Sequence, residues 1–483
     1  MSNLSDLLPA GAGGKQVDFV ASGTLPSGQT VALKTNGQVE AVTGVAEIVG
    51  TSTVFNNSAT YYTSTTFDSN SNKIVVAYRD EASGNSYGKA VVGTVSGTTI
   101  SFGAENAFNS AVTDQYITST YDSTANKVII SYANVGNSSY GTAIVGTVSG
   151  TSISFGTAVV FESGATTGFG STFDSNSNKV VIAYRDNANS AYGTATVGTV
   201  SGTSISFGTP VVFETSDTNE TALTFDVSNN KVVISYTDTG NSQYGTAIVG
   251  TVSGTTISFG TAVVFNNGQS RNPSSTYDST NNKVVIAYRD AGNSSYGTAI
   301  VGTVSGTSIS FGTAVVFNAG TTTYQSATFD SSLNRVVIGY NDGGNSGYGT
   351  TIAGTVSGTS ISFGAETVFE SVSTDQLSVA FDSTNNKVVF AYRDSGNSSQ
   401  GTGLPFQVGA TNNTSFLGIT DAAISSGASG SVTIKGGISS NVTSLTPNSN
   451  YYVQADGTLT TTSSTVLAGR ALSSTSINLD YTT

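Results

Sequence analysis

The chain has 483 residues, 56 of them glycine, 22 tyrosine and 23 phenylalanine, and a formal charge of −13 from 17 Lys and Arg against 30 Asp and Glu. That acidic balance, with no basic stripe, argues against a nucleic-acid partner and against adhesion to anionic lipid. With no histidine and no cysteine, Ser–His–Asp and Cys–His catalysis, disulfides and the usual zinc ligand sets are excluded, and no P-loop or dinucleotide-binding glycine motif takes their place.

In chain order, MSNLSDLLPAGAGG has neither a basic n-region nor an apolar h-region, so no secretory leader is expected, and no apolar run reaches membrane-spanning length. Within residues 16–42, GTLPSGQTVALKTNGQVEAV reads as two alternating strands joined at Asn36-Gly37, a hairpin signal. From residue 45 to 410 the chain repeats itself. An aromatic-Asp pair ends at Asp68, Asp122, Asp174, Asp226, Asp278, Asp330 and Asp382, spaced by 54 and then five times by 52 residues, and Lys or Arg follows each Asp by five positions. Each period divides into four strand-like pieces, in the third repeat 171–173, 179–185, 194–200 and 203–213. Four short strands in about 50 residues are the signature of a β-propeller blade.

The second piece is continuously apolar, as in Val180-Val181-Ile182-Ala183-Tyr184, which predicts a strand covered on both faces. Complete fourth strands with ISFG occur six times, while the last repeat lacks one. The orphan EIVGTSTVFNN at 47–57 matches that missing strand, with Phe55 in register with Phe108. Lending it to the last repeat would close a ring and remove its exposed edges. Residues 411–483 add short strands in SVTIKGGI, NYYVQADGTL and RALSSTSINLDY. The expected fold is all-β: a seven-bladed β-propeller at 45–410, inserted in a small β domain made from 1–44 and 411–483.

SGQTVALKTNGQVEAV together with FLGITDAAISSGASGSVTIKGG resembles the small β domains of bacteriophage capsid cement or decoration proteins. LTPNSNYYVQADGTLTTTSSTVLAGRALSSTSI is similar to segments of phage virion structural proteins and tail appendages, and the repeats resemble those of marine phage appendage-like proteins. The resemblance implies a virion-surface component, made in the host cytoplasm. Its flank domain would dock on other capsid or tail proteins, and its propeller would face a host-surface glycan. Homo-oligomerisation stays open.

Two sets of residues carry chemistry. The seven repeated Asp residues start stretches such as Asp68-Ser-Asn-Ser-Asn72, whose alternating oxygens would suit calcium. An Asp that caps its turn and pairs with the basic residue across the hairpin is the reading favoured, with no metal and no cofactor. Arg79, Arg185, Arg289 and Arg393 fall in Tyr-Arg-Asp motifs of the odd repeats, which in a ring of seven makes Arg393 and Arg79 neighbours. Such a cluster could clamp an acidic glycan; the plainer expectation is that each Arg pairs with its adjacent acid. Loops joining blades are expected at the divergent stretches 109–118, 162–171, 214–223 and 266–275, on the face that carries the second-to-third-strand loops, where recognition would concentrate. Tyr87, Tyr140, Tyr192, Tyr244, Tyr296 and Tyr348 lie beside them and are expected to pack between blades. The leading expectation is a non-enzymatic virion protein displaying a propeller; the competing one is a propeller lectin or a carboxylate glycosidase.

Overall fold

The computed structural model describes residues 15–82, 86–112, 116–464 and 466–479. The first fourteen residues, the middle of the 109–118 stretch and the end of the last strand-like segment lie outside the described residues. The chain forms two compact units, residues 49–407 and residues 1–48 with 408–483. Among the described residues there is no α-helix.

The repeat becomes a four-stranded antiparallel sheet. In the fourth repeat, Lys231–Asp238 lies between the second half of Val211–Asp226 and Tyr244–Ser253. Tyr244–Ser253 is covered in turn by Thr256–Phe259 and by the start of Val263–Asp278. The Gly of each VSGT turn takes the left-handed backbone that the hairpin needs, as at Gly202 with φ +60°. Among the described residues, such four-stranded units follow one another through one hydrogen-bonded strand order.

The apolar second strands are fully buried because a neighbouring unit covers each face. Val232, Ile234 and Tyr236 pack with Val181, Ala183, Ala195 and Val197 of the preceding unit. Val233, Ala247 and Val249 pack with Val284, Ile286 and Tyr288 of the next. Alanines on one face thus meet isoleucine and tyrosine on the other, which lets sheets interdigitate. Each large side chain buried this way is worth about 1.5–3 kcal/mol.

One expectation needs correcting. The stretches 162–171, 214–223 and 266–275 are not loops. They lie inside unbroken strands of 16 residues, Val159–Asp174, Val211–Asp226 and Val263–Asp278. Each strand begins as the last of one unit and ends as the first of the next. It turns the corner through a bulge: the register jumps from Asn219 to Ala222, with Glu220 at φ +51° between them.

The ends of the array meet as the sequence expects. The first part of Thr53–Asp68 pairs with the third strand of the last unit, Thr53 opposite Gly403 and Val54 opposite Thr402, while its remainder starts the first unit. Phe55 packs with Ala380, Val389 and Ala391 of the last unit and with Ile74 and Val76 of the first. The Thr384 hydroxyl reaches Asn72 Oδ1 across the same seam at 2.6 Å.

The flank unit is built from both chain ends. Its first sheet runs Gln16–Val20, Ser429–Ile434, Phe416–Thr420, Thr30–Leu33 and Val39–Ala41. The Asn36-Gly37 hairpin is as expected, with Gly37 at φ +83°. A second sheet, Ile438–Ser439 through Ile477–Leu479, comes from the C-terminal part alone. Ala32 and Ile419 of the first, with Val42 just after its last strand, share a core with Tyr451, Val453 and Leu479 of the second.

Candidate functional site

Six residues before each turn Asp one residue takes the left-handed region: Tyr62, Tyr116, Gly168, Glu220, Asn272, Tyr324 and Gln376, at a strand bulge in every case but Tyr116. Six of them carry a Cβ, at φ between +49° and +74°, where a non-glycine residue costs roughly 1 kcal/mol or more. All seven line a single cavity of about 370 Å³, together with the residue that follows each of them. The scaffold around them is nearly constant, yet the seven positions hold five residue types.

Hydrogen bonds between units fix this ring. Gln376 Oε1 accepts the Tyr62 N–H at 3.0 Å, and the Thr63 hydroxyl donates to the Gln376 carbonyl. Glu220 Oε2 accepts the Asn272 N–H at 2.6 Å and the Thr237 hydroxyl at 3.3 Å, while its Oε1 accepts from Asn272 Nδ2. Gln325 Nε2 donates to the carbonyls of Arg271 and Asn272 at 3.0 and 2.5 Å. The rings of Tyr62 and Tyr116 lie 6.0 Å apart. The divergent stretches were visible in the sequence but this ring was not, because the bulge carries no constant Gly or Pro mark: Gly stands at one of the seven positions, Gly168. The signal was a fixed offset of six residues before each Asp at which identity changes.

Beside this ring the structure brings two of the four motif arginines together. The guanidiniums of Arg79 and Arg393 lie 5.0 and 4.4 Å from the centre of the Tyr61 ring, and Arg79 also stands 5.2 Å from Tyr62. Such contacts are worth about 0.5–1 kcal/mol each at exposed sites. Arg185 and Arg289 are not part of this cluster. Arg185 pairs with Asp217 at 2.8 Å, and Arg289 donates to Ser295 at 2.9 Å. The expected pairing of each Arg with its adjacent acid does not occur, because Asp80, Asp186 and Asp394 turn inward and accept N–H groups of the following loop. Arg79 instead pairs with Glu81, and Asp80 with Lys89 at 2.6 Å.

The repeated Asp residues are turn caps. Asp226 Oδ1 accepts the N–H groups of Ser228 and Asn229, both at 3.0 Å, and the same double bond recurs at Asp68, Asp122, Asp174, Asp278, Asp330 and Asp382. The ion pair expected with the basic residue opposite does not form. The carboxylate is buried and already occupied by backbone donors, while Lys231 reaches the Thr251 hydroxyl at 2.9 Å instead. Among the described residues, no cluster of three or more Asp or Glu is placed to hold a metal.

Aromatic packing between units also differs from expectation. Tyr87, Tyr140, Tyr192, Tyr244, Tyr296 and Tyr348 stand half-buried at the start of the third strands. The buried aromatic layer is made by the Tyr of the Tyr-Arg-Asp position, such as Tyr236 against Phe213 at 5.2 Å. Burial alone pushes Tyr132 up to about 12. Tyr184 and Tyr236 go higher still, through burial and then the charges of Glu162 and Glu214, whose carboxylates accept their hydroxyls at 3.1 and 3.0 Å. The same two glutamates add to burial in raising Asp186 and Asp238 above the ordinary carboxylate range.

A larger hollow, about 540 Å³, lies in the flank unit between residues 27–30, 441–445 and 456–459. Its one carboxylate, Asp456, is engaged by the Thr458 hydroxyl and N–H.

No family model matches the chain, and no curated protein matches it. Among solved structures it is similar to the BP39L lectin from Burkholderia pseudomallei, with a TM-score of 0.53 and 9% identity over 74% of this chain and 97% of that one. A chain of a mitotic checkpoint complex aligns over 74% of this chain and 91% of its own, at a TM-score of 0.49 and 8% identity. Together with the repeated four-stranded sheets, the likeness to the lectin makes this chain a β-propeller protein.

Proposed function

We propose that the protein is a non-enzymatic display protein of a bacteriophage particle, whose flank unit docks on capsid or tail proteins and whose propeller contributes to host-surface attachment. The observation that carries this reading is the make-up of the flank sheet. Gln16–Val20 and Thr30–Leu33 from one chain end interleave with Ser429–Ile434 and Phe416–Thr420 from the other. The propeller is an insertion in the sequence of this small fold, and the flank segments are the ones that resemble phage decoration domains. Mass spectrometry of purified particles, with antibody labelling under the electron microscope, tests the proposal. Stoichiometric protein on the particle is expected; particles that lack it end the reading.

A second reading, a lectin for acidic glycans, is favoured by the two guanidiniums stacked on Tyr61. Each guanidinium has five N–H donors, and the contacts of Arg79 with Glu81 and of Arg393 with Ser399 use one terminal nitrogen each. The similarity in fold to a bacterial lectin accords with this. On a broad glycan array, binding to sialylated or uronate-bearing glycans is expected to disappear in the Arg79→Ala/Arg393→Ala variant. A blank array together with a blank hydrolysis assay would remove the reading.

A further inference from the structure

The seven-membered ring of left-handed residues encloses a cavity with the features of a built site, and the geometry points to a neutral sugar residue, bound end-on, as its occupant. This deepens the lectin reading, on which it rests only for the class of ligand, and its site is the ring cavity itself, which no arginine lines. The first observation is Gln325, which lines the cavity and is 5% exposed. Its Nε2 donates to two backbone carbonyls, which can only accept, so the orientation of the amide is fixed. Its Oε1 is therefore the free end, and it has no hydrogen-bond partner. A buried acceptor left unpaired costs on the order of 1–3 kcal/mol, which a hydroxyl or amide donor from a ligand would recover.

The second observation is the wall. Three tyrosines, Tyr62, Tyr116 and Tyr324, line it, and the volume of about 370 Å³ lies at the small end of ligand sites, which run to roughly 1,000 Å³. Strain is the third. Holding Tyr, Glu and Gln at positive φ, where Gly or Asn would be cheaper, is a burden the fold carries at these positions.

Charge selects among ligands. No Lys or Arg lines the cavity, and its one carboxylate, Glu220, is engaged at both oxygens. An anionic sugar would find no counter-charge inside and would meet Glu220. A cation would find the one carboxylate already taken up by Asn272 and Thr237. A polyhydroxylated neutral ring can satisfy Gln325 and stack on tyrosine without either penalty.

The test is isothermal titration of the full chain with methyl glycosides of neutral hexoses and N-acetylhexosamines, and with the methyl glycoside of sialic acid as the acidic probe. At least one neutral glycoside is expected to bind saturably with a stoichiometry of one. Gln325→Leu and Tyr324→Asn are each expected to weaken it by about tenfold or more, and Arg289→Ala to leave it unchanged. Tyr324 is partly exposed and strained, so Tyr324→Asn should also keep or raise the melting temperature, a result opposite to that of a purely structural residue. No saturable neutral binding, or binding that survives Tyr324→Asn undiminished, overturns the inference. Binding of the sialoside alone, lost in Arg79→Ala/Arg393→Ala, overturns it while leaving the acidic-glycan reading standing.

Discussion

Asp238 shows how one repeat position is used in two ways. Where the last strand of a unit carries Asn, as at Asn266 and Asn318, its amide donates to the Asp at the end of the second strand, at 3.2 Å to Asp290 and 3.0 Å to Asp342. Where it carries Glu, as at Glu214, that carboxylate turns to the Tyr236 hydroxyl and leaves Asp238 facing a like charge. Burial first, then Glu214, raises Asp238 above its ordinary value of 3.8. The folded state therefore binds the proton more tightly than the unfolded one, so this group's contribution to stability grows as pH falls through the raised value and is complete below about 3.8. Asn already stands at this position in the second repeat, as Asn134. Asp238→Asn should keep the acceptor for the Asn241 N–H while removing the repulsion. Thermal unfolding from pH 7 to pH 4 is expected to show an equal or higher melting temperature for the variant at pH 7, with the gap closing toward pH 4. A gap that widens on acidification would contradict the assignment.

Strands and turns were the most legible level. Periodic Asp, ISFG and VSGT marks fixed four strands per repeat because each is a local demand of the backbone. Gly208, the last residue of one ISFG, illustrates a demand that is not local: a Cβ there would sit 1.8 Å from the Thr255 carbonyl oxygen of the next unit. Gly364 occupies the same repeat position, but the following unit lacks a VSGT turn, and the nearest atom would be Ala353 O at 3.8 Å. Gly208→Ala is expected to cost about 1–3 kcal/mol, and Gly364→Ala less than about 0.5 kcal/mol, by urea unfolding monitored through tyrosine fluorescence. Equal costs would mean that the contact between units does not decide this residue. What stayed hidden in the sequence follows the same division. The bond from the Asn272 N–H to Glu220 joins residues 52 apart, and the approach of Arg393 to Tyr61 joins opposite ends of the array. The inward turn of Asp80 and Asp186 depends on burial, which charge pairing along the chain does not reveal.

At the scale of the molecule, the array holds together at a seam of a few residue pairs between Thr53–Asp68 and Gln400–Gln407. The chain contains no cysteine, so Val54→Cys/Thr402→Cys offers a single cross-link between register partners. Antiparallel partners lie about 4.5–5.5 Å apart at Cα, within disulfide reach. Oxidation is expected to stabilise the propeller by about 2–4 kcal/mol and to slow its unfolding, both reversed by reductant. Failure of the pair to oxidise would place the two strands apart. Because every unit lends its final strand forward, the period of the gene and the period of the sheet are offset by one strand. Unequal recombination between near-identical repeats would then remove a whole period while rejoining compatible partners. Excising residues 227–278, for instance, joins Asp226 to Ser279 and restores an intact Asp-Ser-Thr-Asn-Asn turn. Such a shortened chain is expected to unfold in one cooperative step with the compact small-angle scattering of a smaller ring; an open or aggregated product would refute this. Ring size is in that sense a heritable count, adjustable in whole steps without rewriting the clasp.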